Sequence, residues 1–211
     1  MRTFAIAALM FTAAAGVRAQ QWEVGALAGG GFVPGVSVTS GLGSATTGFQ
    51  TGAAFGVFVG QNLYSHLSGE IHYGFMQSNL KLESGSTKVT FAGRSHVVHY
   101  DIVYHTNRKG AKAQAFVAVG GGMKIYQGTG KEAAYQPLNQ FAYLTHTQQT
   151  KAMLSVGGGV KVALAPHMYL RTEVRDYVTM FPKDVIFPAP GAKVGRLLHD
   201  LVPMAGISFD Y

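Results

Sequence analysis

A glycine run followed by lysine occurs twice in the sequence, and these residue types could form a phosphate-binding loop. The two copies are VAVGGGMKIY, from Val117 to Tyr126, and LSVGGGVKVA, from Leu154 to Ala163. A phosphate loop needs the spacing G-x-x-x-x-G-K-[ST] between a strand and a helix. Neither copy has that spacing or a Ser or Thr after its lysine. The motif therefore predicts no nucleotide site, and its glycines need a structural explanation.

Two histidine motifs are further candidates for chemistry. His66 and Ser68 form a His-x-Ser sequence, and alternate residues of a strand share one face. His96 and His99 are separated by three positions, which places them on opposite faces of a strand, a poor geometry for a metal. No G-x-S-x-G motif occurs. From these patterns we predict no catalytic residue, no metal ligand and no cofactor.

Charged and histidine side chains that alternate with apolar residues form the third group of candidates. They are Glu70, His72, His99, Asp101, Lys161, Arg171, Glu173 and Arg175. A charge buried without a partner is costly, and the signs in this group nearly balance. We therefore predict a buried ionic cluster, in which the three acids pair with Lys161, Arg171 and Arg175. The alternative is a polar track that conducts ions or a small solute.

The segments that carry these residues alternate with a period of two, which is typical of strands. In HVVHYDIVYH, for example, Val98, Tyr100, Ile102 and Tyr104 oppose a polar row. The same alternation predicts eight strands, each long enough to cross a membrane at a tilt. They are expected near 21–33, 48–60, 67–78, 94–105, 113–126, 151–164, 168–180 and 199–211.

The N-terminal segment has the pattern of a secretory signal peptide. A basic start at Arg2 precedes an apolar run that ends in a small-residue site, which predicts cleavage between Ala19 and Gln20. We therefore expect residues 1–19 to be removed and 20–211 to form one domain. The mature chain has no cysteine and so holds no disulfide. Its basic residues are scattered, which argues against a nucleic-acid partner.

The predicted connections alternate between long and short. Long ones cover 34–47, 79–93, 127–150 and 181–198, and short ones cover 61–66, 106–112 and 165–167. Long loops on one side and short turns on the other are typical of an outer-membrane barrel. A soluble lipocalin-type barrel is the alternative, but one face of these strands is nearly free of charge. Aromatic residues near strand ends (Trp22, Tyr104, Tyr169 and Tyr211) also suggest membrane girdles.

The whole mature chain resembles the small bacterial outer-membrane β-barrel family, which includes the OmpA-like transmembrane domain. The signal peptide, the amphipathic strands, the glycine-rich strands and the closing AGISFDY carry the resemblance. It implies an all-β fold, an eight-stranded antiparallel up-and-down transmembrane β-barrel. It also implies a C-terminal assembly signal read by the barrel-assembly machinery, at Ala205, Ile207, Phe209 and Tyr211. Tyr211 departs from the Phe that most often ends the family's chains.

The resemblance implies a protein of the bacterial outer membrane, with both termini in the periplasm. We expect a non-enzymatic structural or surface role, a side-chain-filled lumen, and contact with outer-membrane lipid and lipopolysaccharide. A monomer is expected. A small channel or carrier for hydrophobic or tiny solutes remains an alternative, as does a lipid A-modifying enzyme. The polar loop segments LGSATTG and YLTHTQQT are expected to be mobile or adhesive. Lys183, Lys193 and Arg196 could contact lipopolysaccharide phosphates, or they could be merely solvated.

Overall fold

The computed structural model describes residues 22–107 and 111–211, so the predicted cleavage site at Ala19 and Gln20 lies outside the described residues. No helix within those ranges is long and apolar enough to cross a membrane. The described residues form fifteen strands: β1 (Trp22–Gly31), β2 (Val36–Ser40), β3 (Gly43–Phe49), β4 (Gly52–Asn62), β5 (Leu67–Gln77), β6 (Leu80–Ser84), β7 (Thr87–Phe91), β8 (Gly93–His105), β9 (Ala113–Gly128), β10 (Ala142–Leu144), β11 (Gln148–Ala165), β12 (Met168–Met180), β13 (Ile186–Pro188), β14 (Lys193–Val194) and β15 (Leu197–Asp210).

Eight of these strands close into one antiparallel barrel, in the order β1-β15-β12-β11-β9-β8-β5-β4. This confirms the predicted fold class. Following paired residues once around the barrel leads from Tyr169 to Thr179, through Ser208, Gly25, Phe58, His72, His99, Gly122 and Met153. The path returns ten residues further along β12 (169 to 179). A closed sheet with that stagger has strands tilted by about 40°.

The two faces of the barrel strands differ as the period-two pattern predicts. Along β8, for example, Val98, Tyr100, Ile102 and Tyr104 are exposed on the outer face, and the residues between them are buried. In a membrane barrel the outer face contacts lipid, and these outward apolar side chains suit that environment. Trp22, Tyr104 and Tyr211 are exposed near the barrel end with short turns. Tyr169 differs from our expectation, because it lies on the inward row and lines the mouth of the lumen.

The glycine runs lie in the middle of β9 and β11, which pair with each other. A Cβ atom on Gly120 would lie 2.0 Å from the backbone oxygen of Tyr100, and one on Gly159 would lie 2.1 Å from that of Thr172. These glycines therefore let neighbouring strands approach closely where the small barrel curves. Gly120 also leaves room for the carboxylate of Asp101, since the added Cβ would come within 2.3 Å of its Oδ1.

The long connections fold into a cap over one end of the barrel and contain short strands of their own. Five strands form a sheet in the order β14-β2-β3-β6-β7, and β10 pairs with β13. LGSATTG lies mostly in β3, and YLTHTQQT spans β10 and the start of β11. Buried apolar residues of the cap pack against Tyr126 and Leu198 at the top of the barrel. We call this end of the barrel the loop end, and the opposite end the turn end.

The predicted strand at 48–60 begins too early. Residues 43–49 belong to the cap strand β3, and the barrel strand β4 starts only at Gly52. Phe49 is buried in the cap core and stacks on Tyr126 with ring centroids 5.0 Å apart. Gly48 has a φ of +151°, a conformation open to glycine, and the chain changes direction there. The period-two alternation therefore continues from β3 into β4 and does not mark the boundary between the two strands.

Candidate functional site: the lumen ionic cluster

Three barrel strands supply most of the ionisable side chains in the lumen. β5 contributes Glu70 and His72, β8 contributes His99 and Asp101, and β12 contributes Arg171, Glu173 and Arg175, always at alternate positions. All of these residues are buried. The eight-strand barrel is just wide enough for side chains to fill it, so residues on strands across the lumen can touch. We call these seven residues the lumen ionic cluster.

Arginines and carboxylates alternate through the cluster. Arg171 donates two hydrogen bonds to Glu70, at 2.9 Å from Nη1 and 2.8 Å from Nη2, and a third from Nε to Glu173 at 2.9 Å. Arg175 donates from Nε to the other oxygen of Glu173 at 2.8 Å and from Nη1 to Asp101. Hydrogen bonds thus connect five side chains across the barrel into one network, in the order Glu70, Arg171, Glu173, Arg175 and Asp101. Forked pairs of this kind are among the strongest polar contacts in proteins.

The two histidines complete the network and stack on each other. His72 Nε2 is 2.8 Å from Glu70, and His99 Nδ1 is 2.9 Å from Asp101. Their rings are nearly parallel, with centroids 4.8 Å apart. The guanidinium of Arg171 lies between the rings of Phe58 and Phe116, 4.2 and 4.5 Å from their centroids. The two aromatic rings therefore contact the flat faces of the guanidinium, and the carboxylates contact its edges.

Lys161 is the one predicted member that lies apart from the cluster. It is buried near the turn end and donates to Glu23 at 2.7 Å, rather than to Glu70, Asp101 or Glu173. Glu23 of β1, rather than Glu70 of β5, comes within reach of the Lys161 ammonium, and this depends on the stagger of the closed barrel, which sequence alone does not reveal. Arg171 Nη1 lies 3.8 Å from Glu23 and links this pair to the cluster. Glu23 was not predicted, although its alternation with Leu27 on one face of β1 is a usable signal.

A second buried ion pair closes the lumen near the loop end. Lys124 and Asp200 are in direct contact and almost inaccessible to solvent. Beside them Tyr126 and Thr179 share a hydrogen bond of 2.7 Å. Lys124, from the first glycine motif, lies at the opposite end of the lumen from Lys161, which comes from the second. Asp200 was not predicted, because it follows a histidine at the poorly patterned start of β15.

Apolar side chains fill the lumen between the two ionic layers. They form one buried group: Leu27, Ala54, Phe58, Met76, Val97, Met153, Tyr177, Val202 and Met204. The cap core covers the loop end above them. At the turn end a narrow polar recess, with a cavity volume of only about 10 Å³, is lined by residues that include Glu23, His105, Lys161 and Asp210. A solute entering this recess would meet the Glu23–Lys161 pair and then the arginines of the cluster.

The His-x-Ser motif does not form a dyad. The ring of His66 stacks on Tyr104, and its Nδ1 lies 2.9 Å from the backbone oxygen of His105. Ser68 instead contacts His105 Nε2 at 2.9 Å, and the second ring nitrogen of His105 has no hydrogen-bond partner among the described residues. The carboxylate that would orient a catalytic histidine is therefore missing from this pair. Within the described residues no group of three or more metal-ligating side chains is placed to hold an ion.

The C-terminal strand closes the barrel against the first strand. β15 pairs with β1 from Glu23–Asp210 to Gly29–Met204. Ile207, Phe209 and Tyr211 are exposed on the outer face, in one row with Ala205. Pro203 also lies on this row, at a point where the ladder to β1 is interrupted before resuming at Phe32–Leu201. The position of this row fits an assembly signal on the lipid face.

Comparisons with known proteins agree with this architecture. The family model described as outer membrane protein beta-barrel domain matches residues 4–186. The outer membrane protein OprG from Pseudomonas aeruginosa has a TM-score of 0.62 at 11% identity, over 93% of this chain and 98% of that one. Neisserial surface protein A has a TM-score of 0.56 at 12% identity, over 90% and 97%. Outer membrane protein AlkL has a TM-score of 0.52 at 12% identity, over 94% and 93%. A comparison with curated proteins finds no match.

Proposed function

Because the chain belongs to the outer membrane protein beta-barrel domain family, we propose that it is a closed structural barrel of the bacterial outer membrane that displays a folded cap at the cell surface. The observation that carries this proposal is the filled lumen. Two ionic layers, an apolar layer and the cap core follow one another along the barrel axis. Such a lumen favours a structural role over conduction.

The orientation of the barrel in the membrane follows from the lengths of the connections between its strands. Small outer-membrane barrels have short turns in the periplasm and longer loops outside. Here the chain turns at 63–66 and 166–167 at the turn end, where both Trp22 and Tyr211 also lie. We therefore assign the turn end and both termini to the periplasm, and the cap to the outside. This arrangement would leave the outward row at Ile207, Phe209 and Tyr211 accessible to the assembly machinery before insertion.

The charges in the lumen support stability more readily than transport. Arg171, Arg175 and their carboxylates satisfy one another, and an ion that passed would have to break several charge-assisted hydrogen bonds. Separating one such buried pair costs about 3–5 kcal/mol. The alternative of a carrier for small hydrophobic solutes would need an open apolar path, and the cap core lies across the loop end.

Planar-bilayer recording of the refolded full chain tests this proposal. We expect no stable conductance steps in symmetric potassium chloride at moderate voltage. A large porin inserted by the same protocol serves as the positive control for the assay. Heat-modified gel mobility confirms that the tested protein is folded. Reproducible openings from the folded form would contradict the filled-lumen role and favour the channel alternative.

A further inference from the structure

The lipid face of the barrel carries an acid–histidine pair where apolar residues are expected. Asp176 on β12 and His199 on β15 both point outward, and Asp176 Oδ2 lies 2.8 Å from His199 Nδ1. The backbone N–H of Asp200 donates to the other Asp176 oxygen at 3.2 Å. The two side chains are 34% and 53% exposed. Their neighbours along the same rows, Val174 and Leu201, are exposed and apolar.

The depth of this pair places it beside lipid. Asp176 is eight positions along β12 from Met168, and a strand tilted by about 40° rises by about 2.5 Å per residue along the barrel axis. The carboxylate therefore lies roughly 20 Å above the turn end, within an apolar band about 25 Å tall. Ionisable groups at membrane depth are rare and mark functional contacts. A polar group of a lipid would satisfy the pair better than acyl chains.

A cluster of three cations lies just above the pair, at the rim of the barrel. The ladder between β11 and β12 ends at Met153–Thr179, and the strands separate there. Lys151, Lys183 and Arg196 line the resulting cleft together with Met180 and Phe181. Among the described residues, none of the three cations has an ion-pair partner, whereas each buried lumen cation has one. The nearby Asp184 is instead hydrogen-bonded to Gln149.

The vertical order of these groups matches one class of amphiphile. Cations at the rim suit phosphate groups. Below them, His199 donates Nδ1–H to Asp176 and in its neutral form keeps Nε2 as an acceptor for a hydroxyl or amide. Exposed Met180 and Leu197 flank the site and suit acyl chains. We propose that this face of β11, β12 and β15 binds one phosphorylated acyl-glycolipid of the outer leaflet, the class to which the anchor of lipopolysaccharide belongs.

Native mass spectrometry of the full chain in detergent micelles tests this site, with purified lipid A as the probe. We expect one lipid A per barrel, and at least tenfold weaker binding when Lys151, Lys183 and Arg196 are all changed to Gln. Lys193 lies in the cap strand β14 and does not line the cleft. The matched control therefore changes three cap lysines, Lys81, Lys88 and Lys193, to Gln and removes the same charge. It should bind as the unmodified chain does. Equal losses in both triple variants would overturn the proposal, because they would show attraction by net charge only.

Two further arms separate a glycolipid from other occupants. Phosphatidylglycerol carries a phosphate without the sugar and amides, so it should bind several-fold more weakly than lipid A. The Asp176→Asn/His199→Gln variant should reduce that difference. Equal binding of both lipids, or a dimer of the chain that the same variant dissociates, would overturn the proposal. The assignment to the outer leaflet rests on the proposed orientation, but binding in micelles does not depend on it. A failure here is therefore distinct from a conducting lumen.

Discussion

Replacing Arg171 by Met tests how the lumen ionic cluster stabilises the barrel. The side chain is fully buried and makes three hydrogen bonds to two carboxylates, Glu70 and Glu173. Met places an apolar side chain of similar reach beside Phe58 and Phe116 but leaves both carboxylates underpaired. Removing one partner of a buried ion pair costs about 3–5 kcal/mol, and we expect the free energy of unfolding to fall by that amount.

Equilibrium urea unfolding in lipid vesicles measures the effect, because Trp22 is the single tryptophan and reports through its fluorescence. Adding Glu70→Gln to Arg171→Met should recover about 1–3 kcal/mol, because coupled neighbours are not additive. Arg94→Met is the matched control. Arg94 is exposed and contacts Gln127, so its replacement should change stability by no more than about 0.5 kcal/mol. A loss below about 1 kcal/mol for Arg171→Met, or strict additivity with Glu70→Gln, would refute the reasoning.

Three other predictions follow from particular contacts. Gly120→Ala should destabilise the barrel by about 1–3 kcal/mol, because the added Cβ would lie 2.0 Å from a backbone oxygen. Gly121→Ala is the control and should be tolerated, because its Cβ would lie 3.4 Å from the nearest atom. Equal melting temperatures of the two variants in heat-modified gels would contradict this prediction. Lys88 Nζ lies 2.9 Å from Glu83 Oε1, and this hydrogen bond lowers the pKa of Glu83. The favourable contribution of the pair to stability is therefore present above the ordinary carboxyl pKa and is lost as the pH falls through the lowered pKa. Lys88→Gln should raise the pKa of Glu83 in an NMR titration, and an unchanged titration would show that the pair does not form. Phe209→Asp should reduce the folded fraction in membranes several-fold while Tyr211→Phe does not, and equal folded fractions would argue against an assembly signal on this row.

The sequence predicted the barrel well because period-two alternation is a local property of each strand, and eight such strands with alternating long and short connections are typical of a small closed barrel. Glu70, Asp101 and Glu173 could be placed in the lumen from alternation alone. Their partners could not, since the ten-residue stagger depends on how all eight strands pair, and it moves Lys161 from the cluster to Glu23. The cap strands were missed because β3 consists mostly of Gly, Ser and Thr and β10 has only three residues. Their order comes from packing against the apolar core at the top of the barrel.

The lipid-face pair shows a second limit of pattern reading. The outward row of β12 is apolar at Leu170, Val174 and Val178, but Asp176 lies on it as well. In a sequence, a single charge in an apolar row does not by itself indicate a site. It becomes a feature only when tertiary structure brings His199 from β15 to within a hydrogen bond. The same applies to the rim cations, because Lys151 lies in β11 whereas Lys183 and Arg196 lie in the connection between β12 and β15.

Thiol accessibility in the lumen tests the central claim most directly. The chain has no cysteine, so one introduced thiol reports a single position. Ser155 is completely buried at the level of Arg175, and Ser86 is exposed on the cap. If the lumen is filled, Ser155→Cys should resist a small charged methanethiosulfonate reagent added from either side of the membrane, while Ser86→Cys reacts quickly from outside. Modification of Ser155→Cys within about tenfold of the rate at Ser86→Cys would show a water-filled lumen and contradict the account.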